Sequence, residues 1–294
     1  MKIGFIGIGR MGRFMARHLA DGGHNLSVFD LNKESASEVL SRGASWMESP
    51  RAVAALSEII FTSLPMPKDV ELVATGPDGV LSGATPGSII CDVSTTDPDT
   101  IRHIAAAAQL KGVHVLDSPV SGGAIGAERA TLCMMVGGDE SVFARAKPVL
   151  ELLGKTVVHC GALGSGAVCK IVNNLINLGS YFLVAEAFIL GIKAGVSTQT
   201  LFDVISNSSG NTQSMQEFPG GLFDGNFDHG FQLDLAAKDV RLATELGRRM
   251  GVPMDSAARI EQQYTEAQKR SWGQMSAISV VRLQEERTTV EIRV

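Results

Sequence analysis

Short apolar runs alternate with longer amphipathic stretches over roughly the first 160 residues of the chain. The runs are rich in Ile, Val and Phe, as buried strands are, and several of the stretches between them have helical periodicity. Strands that alternate with helices predict βαβ units and a parallel sheet. The predicted strands are Lys2–Ile6, Asn25–Asp30, Glu58–Leu64, Ser88–Val93 and Val113–Asp117, with two more, Thr131–Val136 and Thr156–Cys160, extending the sheet. The predicted helices of this part are Met11–Ala20, Pro98–Lys111 and Asp139–Leu153.

The pattern changes after about residue 162, where helical periodicity replaces the strand-like runs. Ser165 to Ala194 is one long helical pattern without proline, and loops are predicted at Asn207–Gly210 and Pro219–Gly221. Further helices are predicted at Thr198–Ser206, Leu233–Met250, Asp255–Arg270 and Met275–Glu286. We therefore expect an α/β domain over residues 1–162, a connecting interdomain helix over 163–194 and an all-helical domain over 195–294.

Composition and charge exclude several classes of protein. The chain is 45% apolar and 19% charged, as folded globular proteins are, and its net charge of −5 comes without any basic run, so no nucleic-acid partner is predicted. The longest apolar stretch, Val168 to Ile192, is interrupted by Lys170 and other polar residues, so no membrane span is predicted. The four cysteines are scattered, which predicts buried free thiols in a cytoplasmic protein. No metal site is predicted.

A glycine-rich motif follows the first predicted strand. Residues 7–12 read Gly7-Ile8-Gly9-Arg10-Met11-Gly12, a GxGxxG pattern that opens a predicted helix. In such a motif the first glycine permits a tight turn, the second lets backbone approach a pyrophosphate, and the third packs the helix against the sheet. Asp30 lies 18 residues after Gly12, at the end of the second strand, where an acid can accept hydrogen bonds from a ribose. The context predicts a Rossmann-type doubly wound sheet that binds a dinucleotide.

Asp30 also bears on which dinucleotide is bound. A carboxylate at this position repels a 2′-phosphate and therefore favours NAD over NADP. Arg10, Arg13 and Lys33 are nevertheless possible partners for such a phosphate, so NADP stays as the alternative cofactor.

Lys170 and Asn174 are four residues apart on the long predicted helix, so their side chains project from the same face. Apolar neighbours on both sides suggest that the lysine is partly buried, and a desolvated lysine can give a proton to the alkoxide formed by hydride transfer. From spacing alone, a lysine on a helix is more often a solvated surface residue. Ser121-Gly122-Gly123, after the strand Val113–Asp117, could bind a carboxylate or could form a plain turn.

Taken together, these residues resemble the β-hydroxyacid dehydrogenases, which include 3-hydroxyisobutyrate dehydrogenase, tartronate semialdehyde reductase and relatives of 6-phosphogluconate dehydrogenase. The resemblance covers essentially the whole chain and has four blocks in the order of the family. These blocks are GFIGIGRMG (Gly4–Gly12), DSPVSGG (Asp117–Gly123), GAVCKIVNN (Gly166–Asn174) and FQLDLAAKD (Phe231–Asp239).

The resemblance implies an enzyme that transfers a hydride between NAD(P) and a small β-hydroxy acid or its semialdehyde. Lys170 would be the general acid and base, and Asn174 would hold the same substrate oxygen or the carboxylate. Acids and histidines are weaker candidates, because none in the matched blocks is expected to face the substrate. The other implied contacts are Ser121, Gly122 and Gly123 with the substrate carboxylate, Lys238 with substrate and cofactor, and Gly7, Ile8, Gly9, Arg10, Met11, Gly12, Asp30, Leu64, Pro65 and Thr95 with the cofactor.

Departures from the family pattern leave the substrate open. Ala130 precedes Thr131-Leu132 where the family usually has glycine, and Cys169 stands beside Lys170 where threonine is common. Hydroxyisobutyrate, glycerate and serine are the expected class, and a phosphonate-bearing hydroxy acid is an alternative. An imine reductase or a non-catalytic dinucleotide-binding module on the same scaffold would be expected to lack Lys170.

The helical half also predicts self-association. Residues 181–192 are apolar nearly all round the helix, unlike a lone surface helix, so a homodimer or homotetramer is expected. The alternative is that this helix is the core of one large domain.

Overall fold

The computed structural model describes all residues, 1–294, and the chain forms two units, Met1–Lys170 and Ile171–Val294. The first unit is built on one nine-stranded sheet. Its strands are β1 (Lys2–Ile6), β2 (Asn25–Phe29), β3 (Ser45–Trp46), β4 (Ile59–Thr62), β5 (Ile89–Asp92), β6 (His114–Asp117), β7 (Val120–Ser121), β8 (Cys133–Gly137) and β9 (Thr156–Gly161).

The strand order is β3-β2-β1-β4-β5-β6-β8-β7, and β9 pairs with β8. The first six strands of this order are parallel, in the doubly wound arrangement whose ligand crevice lies where the order reverses, next to β1 and β4. The predicted fold class is confirmed. The sheet is not wholly parallel, however, because β8 runs antiparallel to β6 and β7.

The central strands are buried on both faces, which explains their continuous apolar runs. Along β4, for example, Ile59 and Phe61 pack into one core cluster and Ile60 into the cluster on the opposite face. Helices cover both faces. They are α1 (Gly12–Asp21), α2 (Ser37–Ser41), α3 (Pro50–Ala55), α4 (Pro67–Thr75), α5 (Val80–Gly83), α6 (Pro98–Gln109), α7 (Gly123–Glu128) and α8 (Glu140–Leu150), with a 3₁₀ turn at Lys33–Ala36.

Aspartates at helix starts fix several of these elements. Asp97 accepts hydrogen bonds from the backbone N–H groups of Asp99 and Thr100 at the start of α6. Asp139 does the same for Ser141 and Val142 at the start of α8. Each carboxylate satisfies backbone donors that have no partner within the helix.

The second unit is helical, as expected. α9 (Ser165–Lys193) begins in the first unit and is followed by α10 (Thr198–Ser206), α11 (Gln213–Gln216), α12 (Leu233–Arg249), α13 (Asp255–Lys269) and α14 (Arg282–Thr288), with 3₁₀ turns at Phe218–Gly220 and Ala277–Val281. Its core contains fully buried aromatic side chains such as Phe188, Phe218 and Tyr264. Phe188 and Phe218 meet edge to face, with 5.4 Å between their ring centroids.

The predicted helix at Met275–Glu286 is wrong in its first half, where the chain forms the 3₁₀ turn Ala277–Val281 instead. The backbone N–H groups of Ser276 and Ala277 donate to the carbonyls of Phe227 and Phe231, so this stretch is paired with another segment as it enters the turn. All five residues of the turn are buried, so their apolar character reflects burial on every side and not one helix face.

Two expectations from composition can be compared with the structure. By length and composition alone α9 could cross a membrane, although its polar residues, Lys170 among them, predicted no membrane span. All four cysteines are free thiols, but Cys91 alone is buried and Cys169 is exposed.

Candidate active site

The glycine loop joins β1 to α1. Gly7 has φ of +94°, a conformation that favours glycine, and a Cβ on Gly12 would overlap the carbonyl oxygen of Gly7. Gly9 and Arg10 are exposed, and the position of a Cβ on Gly9 meets open space. The turn and the helix contact thus depend on Gly7 and Gly12, whereas Gly9 leaves backbone open for a ligand to approach.

Asp30 follows β2 and is held next to this loop. Its Oδ2 accepts a hydrogen bond from the backbone N–H of Ile8 at 2.6 Å, and its Oδ1 accepts one from Asn32 at 2.8 Å. Both oxygens are therefore fixed in direction while each keeps capacity to accept another hydrogen bond. Lys33, a possible phosphate partner, places its Nζ 5.4 Å from the ring centroid of Trp46 in a cation–π contact.

Loops after β4 and β5 carry the other predicted cofactor contacts, and a buried acid joins these two loops. Oδ1 of Asp92 accepts from the hydroxyls of Thr62 at 2.7 Å and Ser94 at 2.6 Å. The Ser94 hydroxyl in turn accepts from the backbone N–H of Leu64 at 2.9 Å. Burial raises the pKa of Asp92 to about 6, against hydrogen bonds that lower it. Pro65 is exposed and Thr95 half-buried beside this network.

Ser121 ends β7, Gly122 follows it and Gly123 begins α7; Ser121 is half-buried and both glycines are exposed. Gly122 has φ of +128° and Gly123 φ of +61°, so the backbone turns sharply here. Just before this turn, Val120–Ser121 forms a short antiparallel pairing with β8, which fixes the position of Ser121.

Lys170 and Asn174 are both buried, and α9 places them one turn apart on the same face, as predicted. Asn174 Nδ2 donates to Asp239 Oδ2 at 2.5 Å, and Asn174 Oδ1 accepts from Asn173 Nδ2 at 3.0 Å. These bonds fix the orientation of the Asn174 amide and leave one N–H of Nδ2 for a ligand.

Asp239 also contacts Lys238. Lys238 Nζ lies 3.1 Å from Asp239 Oδ1, in an ion-pair contact that is not a directed hydrogen bond. All three side chains of this group, Asn174, Lys238 and Asp239, are buried. Asp239 thus joins two of the residues predicted from the sequence.

Three acids were missed as site residues: Asp92, Asp117 and Asp239. Two of them stand in the matched blocks, Asp117 as the first residue of DSPVSGG and Asp239 as the last of FQLDLAAKD. The position of Asp117 and Asp239 within these blocks was the signal that could have identified them. The sequence does not show that all three acids are almost completely buried.

The residues present fit a dinucleotide. The loop at Gly7–Gly12 leaves open space at Gly9, and Asp30 stands at the end of the neighbouring strand with acceptor capacity to spare. Leu64 and Thr95 follow β4 and β5 at the same carboxyl edge of the sheet.

Comparison with known proteins identifies the family. The model for the NAD binding domain of 6-phosphogluconate dehydrogenase matches residues 2–161, and the model described as NAD-binding of NADP-dependent 3-hydroxyisobutyrate dehydrogenase matches residues 164–283. 2-(Hydroxymethyl)glutarate dehydrogenase of Eubacterium barkeri is 39% identical over 293 residues, covering 99% of this chain and 97% of that one. The chain belongs to the β-hydroxyacid dehydrogenase family.

Two further members of the family are similar over nearly their full length. 2-Hydroxy-3-oxopropionate reductase of Escherichia coli is 34% identical, with 96% of each chain covered. The solved structure of Mycobacterium tuberculosis 3-hydroxyisobutyrate dehydrogenase with L-serine is 33% identical, has a TM-score of 0.87 and covers 96% of this chain and 98% of that one. This β-hydroxyacid dehydrogenase is therefore an NAD(P)-dependent oxidoreductase of small hydroxy acids, as the sequence predicted.

Proposed function

We propose that Lys170 is the general acid in reduction and the general base in oxidation of a hydroxy acid, and that Asn174 holds the reacting oxygen. NAD(P), when bound, supplies or accepts the hydride. The observation that carries the proposal is the burial of a lysine and an asparagine on one face of α9, with the amide of Asn174 fixed by Asp239. A buried ammonium next to the reacting oxygen gives a proton to the developing alkoxide, and the remaining Asn174 N–H donates to the same oxygen.

The substrate carboxylate is assigned to Ser121, Gly122 and Gly123. The Ser121 hydroxyl and the backbone N–H groups of an accessible turn are suitable donors to a carboxylate. Lys238 is assigned to both substrate and cofactor, with Asp239 as its ion-pair partner.

We infer the form HOCH₂–CHX–COO⁻ for the substrate. The compounds in the names of the three relatives share this skeleton, or its aldehyde, with a carboxyethyl, hydroxyl or methyl group as X. The primary alcohol, one carbon removed from the carbon that bears the carboxylate, is the group that the lysine would deprotonate, and X decides among substrates.

The test is a substrate panel with wild-type protein and the Lys170→Ala variant. Rates are measured with NAD⁺ and NADP⁺ on acids with methyl, hydroxyl, amino, carboxyethyl and phosphonate-bearing X groups, and in reverse on a cyclic imine. We expect Lys170→Ala to lower kcat by roughly 10²- to 10⁴-fold while the Kd of NADH stays within twofold. Lys193→Ala, in the last turn of the same helix, is the control and should behave as wild type.

Several results would contradict the assignment. Wild-type kcat in Lys170→Ala, or a loss confined to cofactor binding, would transfer the role to Lys238. Activity on the cyclic imine alone would make the protein an imine reductase, and cofactor binding without any turnover would make it a binding module.

For the cofactor we infer a preference for NAD. Asp30 is oriented by Ile8 and Asn32, and Lys33 is engaged over Trp46, so a 2′-phosphate at Asp30 would meet a carboxylate. Asp30→Asn should weaken NADH binding and narrow the preference over NADPH, with the exposed Asp21→Asn as control. A wild-type Kd for NADPH at least tenfold below that for NADH would reverse the inference and implicate Arg10 or Arg13.

We further infer a homodimer or homotetramer formed through α9. Only 28% of the most apolar part of this helix is buried, and Val172, Ile176, Leu183 and Leu190 lie along one face with half or more of each side chain exposed. A second copy of the chain presents the same apolar face and would cover it symmetrically. Leu183→Glu should therefore lower the mass in solution to that of the monomer, while Leu110→Glu, at an isolated exposed leucine in the first unit, should not. A wild-type monomer at micromolar concentration would refute the oligomer.

Each predicted segment of the chain has its own proposed role. We propose that residues 1–162 bind the dinucleotide, that 163–194 form the connecting helix, and that 195–294 serve the substrate and assembly. We also propose that the protein is cytoplasmic and that a partner chain, not lipid, covers the exposed face of α9. If that is so, carbonate treatment of membranes from the expressing cell should leave none of the protein in the membrane pellet, where a membrane-spanning protein would remain.

A further inference from the structure

We propose that Asp117 is a positioning residue for catalysis, because its carboxylate fixes the start of α9 and thereby the place of Lys170. The inference rests on the proposed role of Lys170 and assigns to Asp117 no contact with substrate or cofactor.

The carboxylate of Asp117 binds the first turn of α9 through both of its oxygens. Oδ1 accepts a hydrogen bond from the backbone N–H of Gly164 at 2.7 Å, and Oδ2 accepts one from Ala167 at 2.7 Å. Ala167 is three residues before Lys170, within the same turn of helix. Two short bonds to separate donors determine both the position and the rotation of the helix start.

Close packing also restricts movement of the start of α9 along the edge of the sheet. A Cβ on Gly166 would overlap the carbonyl oxygen of Met135, and a Cβ on Gly137 would overlap Asp117 Oδ1. The start of α9 therefore lies directly against the ends of β6 and β8, where Asp117 and Gly137 are register partners. At such contact distances the helix cannot slide along the sheet edge without breaking the hydrogen bonds of Asp117.

The charge of Asp117 is directed at the helix. Asp117 is 1% exposed, and its carboxylate accepts hydrogen bonds from the backbone N–H groups of Gly164 and Ala167 at the start of α9. Burial raises the pKa of Asp117, and these backbone hydrogen bonds oppose the rise. A carboxylate at this end also interacts favourably with the helix dipole, so the anion strengthens the attachment beyond what a neutral cap would give. The helix terminus is thereby occupied by the protein itself.

The consequence for catalysis is specific. A displacement of the lysine by about 1 Å from the reacting oxygen can lower the rate by up to about 10²-fold. Cofactor binding is assigned to the glycine loop and Asp30, which follow β1 and β2 and do not depend on the start of α9. Loss of the Asp117 charge should therefore lower kcat and leave NADH binding unchanged.

The experiment uses Asp117→Asn and Asp117→Ser, each of which keeps one acceptor oxygen, with Asp139→Asn as the control. Asp139 caps α8 through the same kind of bonds but stands outside the proposed site. We expect both Asp117 variants to fold, to lose roughly 10- to 100-fold in kcat, and to keep the Kd of NADH within twofold. Asp139→Asn should keep wild-type kcat.

A double-mutant cycle separates positioning from general structural damage. If Asp117 acts through Lys170, Asp117→Asn causes no further loss of kcat in a Lys170→Ala background. An equal loss in both backgrounds, wild-type kcat in folded Asp117 variants, or failure of both variants to fold would overturn the inference. Wild-type kcat in Lys170→Ala alone would instead overturn the proposed function, and the inference with it.

Discussion

Two glycines of the glycine loop, Gly9 and Gly12, should respond differently when each is changed to alanine: one variant should lose cofactor binding and the other stability. A Cβ on Gly12 would overlap the carbonyl oxygen of Gly7 and lie 3.0 Å from Phe5 Cε1, whereas a Cβ on Gly9 meets nothing within 4 Å. Gly12→Ala must therefore move α1 away from β1 by about 1 Å, and overpacking of this kind costs roughly 1–3 kcal/mol. Gly9→Ala should not affect the stability of the fold.

These costs predict separate measurements. A loss of about 2 kcal/mol in a unit the size of Met1–Lys170 lowers its Tm by roughly 4–8 °C, which differential scanning calorimetry resolves for Gly12→Ala. Gly9→Ala should keep the wild-type Tm but bind NADH at least about tenfold more weakly, since its methyl group stands where the pyrophosphate approaches. Titration of NADH fluorescence measures that binding. A wild-type Tm for Gly12→Ala, or wild-type NADH affinity for Gly9→Ala, would refute the reasoning.

Three further outcomes are expected. Ala130 has φ of +54°, at the position where the family usually has glycine, so Ala130→Gly should raise the free energy of unfolding by roughly 1 kcal/mol in urea titrations; an unchanged midpoint would contradict this. Burial raises the pKa of Asp92 from the usual 3.8 to about 6, so the folded protein holds more protons between these values and this group's contribution to stability falls as pH rises through them. Asp92→Asn should therefore gain stability relative to wild type between pH 4 and pH 7, by at most roughly 3 kcal/mol, and a constant difference would exclude the effect. Asp239→Asn removes the charge that holds Asn174 and Lys238, so kcat/KM for the hydroxy acid should fall by roughly 10- to 100-fold; the exposed Asp255→Asn is the control, and equal activities would sink the proposed role of Asp239.

The strands that could be predicted are those in which most residues of a continuous run are apolar because the run is buried on both faces. β1, β4 and β5 are short, almost wholly buried runs, a pattern typical of the central strands of a parallel sheet. Short elements escaped prediction because two residues such as Ser45–Trp46 carry no period, and their pairing with β2 is a tertiary contact. The turn Ala277–Val281 was mistaken for the start of a helix because complete burial removes the amphipathic signal.

The site was predictable to the extent that its residues stand in short contiguous blocks. Gly7–Gly12, Lys170 and Lys238 were each found in this way, and their roles stay predictions. The acids that support them were not identified as site residues, because neither the apolar run around Asp92 nor the block that ends at Asp239 shows which groups these carboxylates contact. Burial of each depends on strands or helices that are distant in sequence, such as the approach of α12 to Asn174.

Lys170 is the last residue of the first unit, and Asn174 stands four residues into the second. The boundary between the units therefore falls within α9, after Lys170 and before Asn174. A chimera that joined two members of the family at residue 170 would draw the lysine from one parent and the asparagine, with its partner Asp239, from the other. A crossover before Ser165 would inherit Lys170, Asn174 and Asp239 from the same parent, whereas one after Lys193 would separate Asn174 from Asp239. Exchange of substrate preference between relatives should therefore succeed most often when α9 and α12 are transferred together.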